Sequence, residues 1–168
     1  MFDKFGEFDS VEELNKAAAE KLAAGNEEEL VVLAMENGID KEDAEDYFDG
    51  CFEELANIRT SALGKLKVEA QDLQLKGVTE DWKDLIVEEC MKSEELCVAV
   101  RRKGRRLAEC MAGLIKFSFE NKVQVSDKIV SITKVTHNGK TVPMQKPLYL
   151  GFPNKAEVKK IVREYYLG

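Results

Sequence analysis

Histidine is almost missing from this sequence: His137 is the only one among 168 residues. Any nucleophile–base chemistry, and any imidazole metal site, would have to run through that one side chain. A glycine-rich phosphate loop is missing too, because Gly104 and Gly113 lack the P-loop spacing and its closing Lys-Ser/Thr. No apolar run approaches the ~20 residues of a membrane-spanning helix, and mean hydropathy is -0.33. The opening Met1-Phe2-Asp3-Lys4-Phe5-Gly6 has no basic region followed by an apolar stretch, so it does not read as a secretory signal. The chain is therefore expected in the cytoplasm of the cell that makes it, without a membrane partner. Cys51, Cys90, Cys97 and Cys110 form no C-x-x-C pair and stand far from His137 in sequence. They read as reduced, mostly buried thiols that hold neither a metal nor a disulfide, and no cofactor is expected.

Acidic residues are abundant, but not in a calcium-binding order. The run from Asp40 to Asp46 lacks the alternation of an EF-hand loop and has Glu45 where its sixth-position glycine belongs. Carboxylates on solvated helix faces also lack the apolar or crowded setting that shifts a pKa toward catalysis. These absences point to a binding protein rather than an enzyme.

The charge is polarised along the chain. Residues 1–50 carry 16 acids and 4 bases, whereas residues 101–168 carry 5 acids and 15 bases, within a net charge of -7. Such asymmetry fits a charged partner. It equally fits two ends that pack together and neutralise each other, and composition leaves both open.

Hydrophobic residues at 44% suffice for a core, and their spacing predicts a mainly α protein: a multi-helix bundle with a small β-hairpin or short sheet near the C-terminus. Ser10 and Glu13 form a capping box ahead of Val11, Leu14, Ala18 and Leu22, and Gly25 stops that helix. Asn26 and Asp40 cap two further helices, ended by Gly38 and by Asp49-Gly50. A longer helix is predicted from about Cys51 to Leu75, with Gly64 marking a bend or a close crossing. Thr79 is read as the cap of the next helix, with Trp82, Leu85, Ile86 and Cys90 facing inward. Asn138-Gly139 between β-prone residues predicts a hairpin, with Pro143 at a strand end and a further strand at Leu148-Tyr149-Leu150. Pro153 and Asn154 introduce a final helix through Tyr166. Strands are expected only between about Ile132 and Leu150. The organisation expected is an acidic helical region, residues 1–50, followed by residues 51–168 as a helical core with a basic face, the β element and the last helix.

Two charged surfaces are candidate binding sites. If one helix runs from Ser93 through Gly104 to about Phe119, then Leu96, Cys97, Val100, Leu107, Met111 and Leu114 share a buried stripe. Arg101, Arg102, Arg105 and Arg106 then fall on the opposite, exposed side as two i,i+4 pairs, joined by Lys103. Their planar forks suit phosphate or an acidic protein surface, and pairing with the acidic N-terminal helices is the intramolecular alternative. The second surface is Asp40, Glu42, Asp43, Glu45 and Asp46, a polyanionic face able to occupy a groove built for nucleic acid. The arginine face is favoured, because helix capping explains acidic helix starts but not clustered guanidinium groups.

Four stretches carry a family resemblance: Phe5-Gly6-Glu7-Phe8-Asp9-Ser10, Asn37-Gly38-Ile39-Asp40-Lys41-Glu42-Asp43-Ala44, Val98-Ala99-Val100-Arg101-Arg102-Lys103-Gly104, and Tyr149-Leu150-Gly151 with Arg163-Glu164-Tyr165-Tyr166-Leu167-Gly168. Together they resemble the PcfK-like proteins of mobile genetic elements, some of which inhibit the type II CRISPR effector nuclease. The resemblance implies an anti-CRISPR protein that binds that nuclease stoichiometrically, with or without its guide RNA. The alternative is a nucleic-acid-binding accessory protein of plasmid or phage transfer, in contact with DNA or RNA. A homo-oligomer of structural or regulatory role is the third class. Under the resemblance the hairpin around Asn138-Gly139 reads as a variable insertion.

Overall fold

The computed structural model describes residues 8–168. The opening segment judged not to be a signal, and Phe5, Gly6 and Glu7 of the first resemblance stretch, lie outside the described residues. The chain is mainly helical, as the spacing predicted, with two small antiparallel two-stranded sheets among the described residues, one of them the hairpin expected near the C-terminus. No helix among the described residues is long and apolar enough to cross a membrane.

Three short helices come first: α1 (Val11–Ala23), α2 (Glu27–Glu36) and α3 (Lys41–Phe48). Their starts follow the capping logic: Ser10 and Asn26 accept hydrogen bonds from the backbone N–H groups of Glu13 and Glu29. Asp40 occupies the third N-cap position without a side-chain capping bond. Leu14, Ala18, Leu30, Ala34, Ala44 and Tyr47 close a first core, which also takes in Leu55 and Ala56. That core therefore extends beyond residue 50.

A second core is built by α4 (Ile58–Asp72), α5 (Val78–Lys92), α6 (Glu94–Arg101), α7 (Leu107–Glu120) and α9 (Lys155–Leu167). Leu66, Trp82, Ile86, Val100, Leu114 and Tyr166 are among its buried side chains. Trp82 is a core anchor, as its stripe position required. Asn154 starts α9 with a full capping box shared with Glu157.

The expected helix from Cys51 is shorter than predicted. Asn57 accepts from the Thr60 N–H at 2.9 Å and starts α4 there, and Phe52, within the expected first turn, is exposed. Thr79 does not cap α5, because Gly77 occupies that position. Its hydroxyl instead donates to the Lys76 carbonyl. A short strand, β1 (Val123–Gln124), lies outside the window expected for strands and pairs with β4 (Tyr149–Leu150). Between them come α8 (Asp127–Ile132), which the spacing did not predict, and the expected hairpin of β2 (Lys134–His137) and β3 (Lys140–Pro143).

Gly64 marks a close crossing. A Cβ on Gly38 would lie 2.2 Å from the Gly64 carbonyl oxygen, and one on Gly64 would lie 2.3 Å from the Asn37 carbonyl oxygen. The turn after α2 thus rests directly on the backbone of α4. Gly38→Ala adds a left-handed backbone, at φ +73°, to this collision and is expected to cost about 1–3 kcal/mol or more. Gly25→Ala, with a similar φ and nothing within 4 Å, should cost about 1 kcal/mol. Urea titrations of the two variants measure the contrast.

Helix α9 is fastened to α5 by charge. Lys155 and Lys159 meet Glu88 and Glu89, and Lys92 also pairs with Glu88. Hydrogen bonds from Lys155 and Lys92 hold the Glu88 carboxyl down at about 2, from an ordinary 4.5. A depressed carboxyl favours the fold fully above its unfolded pKa and ceases to do so as pH falls from 4.5 towards about 2. Hydrogen exchange should therefore show α9 amides losing protection through that interval, ahead of the α1–α3 core.

Candidate functional site

The arginine cluster does not form the surface that a continuous helix implied. Gly104 takes φ +84° and Arg102 leaves the helical region, so α6 ends at Arg101 and α7 begins only at Leu107. The buried stripe survives the break: Leu96, Cys97, Val100, Leu107, Met111 and Leu114 are all buried. The arginines do not stay together on the outside.

Arg101 is 1% exposed. Its Nε donates to Ser61 Oγ at 2.7 Å, Nη1 to the Phe8 carbonyl at 3.1 Å, and Nη2 to Asn37 Oδ1 at 3.3 Å. Asn37 is itself buried and donates to the Leu33 carbonyl. Desolvation lowers the pKa of Arg101, against the opposing pull of Glu13, Glu69 and Asp9. Three donors on one rigid plane thus join α6 to α4, to the end of α2 and to the segment before α1. Lysine, a point charge on a flexible stem, could not reach all three.

Arg105 is half-buried and turned towards α9. It donates to the carbonyls of Tyr165 at 2.7 Å and Gly168 at 2.9 Å, and it lies over the Tyr165 ring. Carbonyls in the last turn of a helix lack intrahelical donors, and Arg105 satisfies two of them. Its own carbonyl accepts from Lys65 Nζ at 2.5 Å, and Lys65 is 2% exposed. Arg106 is exposed and is the N-cap residue of α7, its backbone N–H donating to the Tyr165 hydroxyl. Arg102 and Lys103 are exposed, and the Lys103 backbone N–H is held by Asp9 at 2.7 Å. Of the five basic candidates, Arg101 and Arg105 are turned inward, and Arg102, Lys103 and Arg106 are exposed.

Four of the five acidic candidates are exposed, and Glu45 is half-buried. Glu42, Asp43 and Asp46 project from α3 into solvent, and among the described residues no ion pair engages them. Asp40 pairs with Lys67 at 2.8 Å, and Glu45 with Lys41 at 2.8 Å. Across residues 27–54 the chain has twelve acids and one base, Lys41.

A cleft of about 290 Å³ lies where α1 and α6 begin, bordered by Asp9, Ser10, Glu12, Glu94, Val98 and Arg102. Hydrogen bonds from its own backbone N–H and from Ser10 hold the Glu12 carboxyl below its ordinary range, the reverse of what a general acid requires. Among the described residues, no group of three or more His, Cys, Asp or Glu side chains is placed to hold a metal ion. His137 is exposed at the end of β2. Cys90, Cys97 and Cys110 are buried, Cys51 is exposed, and burial pushes the Cys110 thiol up to about 12.

Sequence reasoning missed Lys65 and Arg101 as buried charges. The signal for the broken helix was present: Arg101-Arg102-Lys103-Gly104 is a basic last turn followed by glycine. Arg101→Met leaves the acceptors on Ser61 and Asn37 unsatisfied and is expected to cost about 3 kcal/mol. Arg101→Lys should recover little of this. Arg102→Ala should stay within about 0.5 kcal/mol of the parent. Thermal melts of the three variants check the order. Comparison of the chain with family models, with curated proteins and with solved structures finds no match in any of the three.

Proposed function

We propose that this protein is an anti-CRISPR inhibitor that binds a type II RNA-guided nuclease stoichiometrically through the acidic face of α2 and α3. One observation carries the reading: the acidic stretch of residues 27–54 has a single internal base, and only Glu29, Asp40 and Glu45 among its acids pair with a lysine among the described residues. An RNA-guided nuclease holds its guide–target duplex in a positively charged channel and reads its short flanking motif with arginines. A rigid helical surface bearing Glu42, Asp43 and Asp46 competes for such a channel by charge, and attraction of this kind steers encounter as well as holding the complex. The resemblance to the PcfK-like family supplies the nuclease as partner. The burial of Arg101 and the engagement of Arg105 move the preference from the arginine face to the acidic one. Binding, rather than catalysis, fits a chain whose one histidine is exposed at a hairpin.

A second reading has its own support. Residues 121–152 carry five lysines and one acid, Asp127, as expected of a nucleic-acid-binding accessory protein of plasmid or phage transfer.

A cleavage assay with increasing inhibitor separates the readings. Inhibition should be complete near one inhibitor per nuclease. Joint reversal of Glu42, Asp43 and Asp46 to Lys should weaken it by about tenfold or more, while reversal of Arg102 and Arg106 to Glu should leave it unchanged. Full cleavage at excess protein, together with salt-sensitive binding to bare DNA, would replace the inhibitor reading with the accessory one.

A further inference from the structure

Residues 121–152 form a lobe with almost no interior of its own. Val130 is its one buried residue, while Val123, Ile129, Ile132, Val142, Leu150 and Phe152 are between 45% and 80% exposed. The β2–β3 hairpin pairs Val135 with Val142 and Thr136 with Thr141, and all eight of its strand residues are exposed. A two-stranded hairpin with neither face covered is marginal in water, and a contiguous apolar surface marks an interaction site. Gly151 holds the far side of the lobe against α7: a Cβ there would lie 2.0 Å from the Ser118 carbonyl oxygen. That contact sets Leu150 and Phe152 beside the last turn of α7, where Phe119 is 68% exposed. Lys122, Lys128, Lys134, Lys140 and Lys146 stud this surface, against Asp127 alone. The lobe is apolar and positive.

The chain also carries the complement. Glu28, Val32, Met35 and Glu36 occupy one stripe of α2, about 100° wide, with Val32 51% and Met35 56% exposed. Glu42, Asp43 and Asp46 are likewise exposed on α3, which packs against α2. Helices α2 and α3 pack mainly on each other and on α1, which leaves an apolar, negative face outward.

We propose that the lobe of one copy docks on the α2–α3 face of a second copy, in a head-to-tail self-association. A second copy satisfies both properties of the lobe. A nucleic acid would answer the lysines and leave Ile132, Val142 and their neighbours in water. Because the two surfaces differ, the contact is heterologous and continues from copy to copy until it closes into a ring or grows as a filament. The inference does not rest on the nuclease reading, and its readout is assembly rather than cleavage.

Sedimentation velocity of the full chain over a range of concentrations tests it. Species larger than a monomer should grow with concentration at low salt and recede at about 0.5 M salt, where surface charges are screened. Reversal of Lys122, Lys134 and Lys140 to Glu, or of Glu42, Asp43 and Asp46 to Lys, should each weaken association by about tenfold or more. An equimolar mixture of the two reversed proteins should associate again, which loss of folding cannot produce. Ile132→Glu, at a position 80% exposed, disrupts the contact independently of the lysines, and circular dichroism verifies that each variant keeps its helices. A wild-type chain that stays monomeric at every concentration, or a mixture that fails to reassociate, overturns the proposal. A monomer that binds labelled oligothymidylate through the lobe lysines overturns it in favour of a nucleic-acid surface.

Discussion

The guanidinium of Arg101 ties the two cores of this protein together, beside Ile58, which packs against both. Burying a cation is costly unless its donors are met, and here the acceptors come from three separated parts of the chain: Phe8, Asn37 and Ser61. The geometry leaves little freedom. Asn37 reaches Arg101 because the turn at Gly38 sits on the backbone of α4 at Gly64, a separation that admits no side chain on either residue. The two glycines and the arginine thus form one device, in which close approach of backbones makes the hydrogen bonds possible and the hydrogen bonds hold the approach. Within the first core, Asn15 fastens α1 to the segment before α4 with two bonds to the backbone of Ala56.

This joint decides what the surface offers. It removes Arg101 from solvent, and the neighbouring turn commits Arg105 to the last carbonyls of α9. Positive charge that is clustered in sequence is thereby dispersed in space. Accessible positive charge is left chiefly on the lysines, while the acids of α2 and α3 remain outward. The charge polarity of the chain survives folding, with its positive pole on a lobe rather than on a helix face.

Much of the helical architecture was legible, because capping and apolar spacing are local. Ser10, Asn26 and Asn154 start helices as their chemistry requires, and Asn138-Gly139 turns a hairpin with both residues at positive φ. Two of the failures share one physical cause. At residues 51–57 and 102–106 an apolar repeat carries on across a real break, since residues on either side of a loop can face the same core. Periodicity reports which residues are buried, and it reported that correctly for Leu96 through Leu114. It does not report whether the backbone between them stays helical. The candidate site suffered most: Arg101 follows buried Cys97 by four residues, so it borders the apolar arc of α6, and only the acceptors on other elements carry it inside. Those acceptors are distant in sequence, the nearest in a side chain being Ser61, forty residues away.

The lobe of residues 121–152 obeys a different logic from the body. Both cores are complete without it, since no lobe residue belongs to either buried cluster. Its shape comes from local terms instead: the Asn-Gly turn, the Val135–Val142 and Thr136–Thr141 cross-strand pairs, and the seating of Gly151 on α7. Substitutions on its surface therefore change what the protein meets without loosening what holds it together. The joint at Arg101 is the reverse case, because any change there reaches both cores at once. A chain built in this way can alter its lobe surface while the helical frame, and the acidic face that the frame carries, stay fixed.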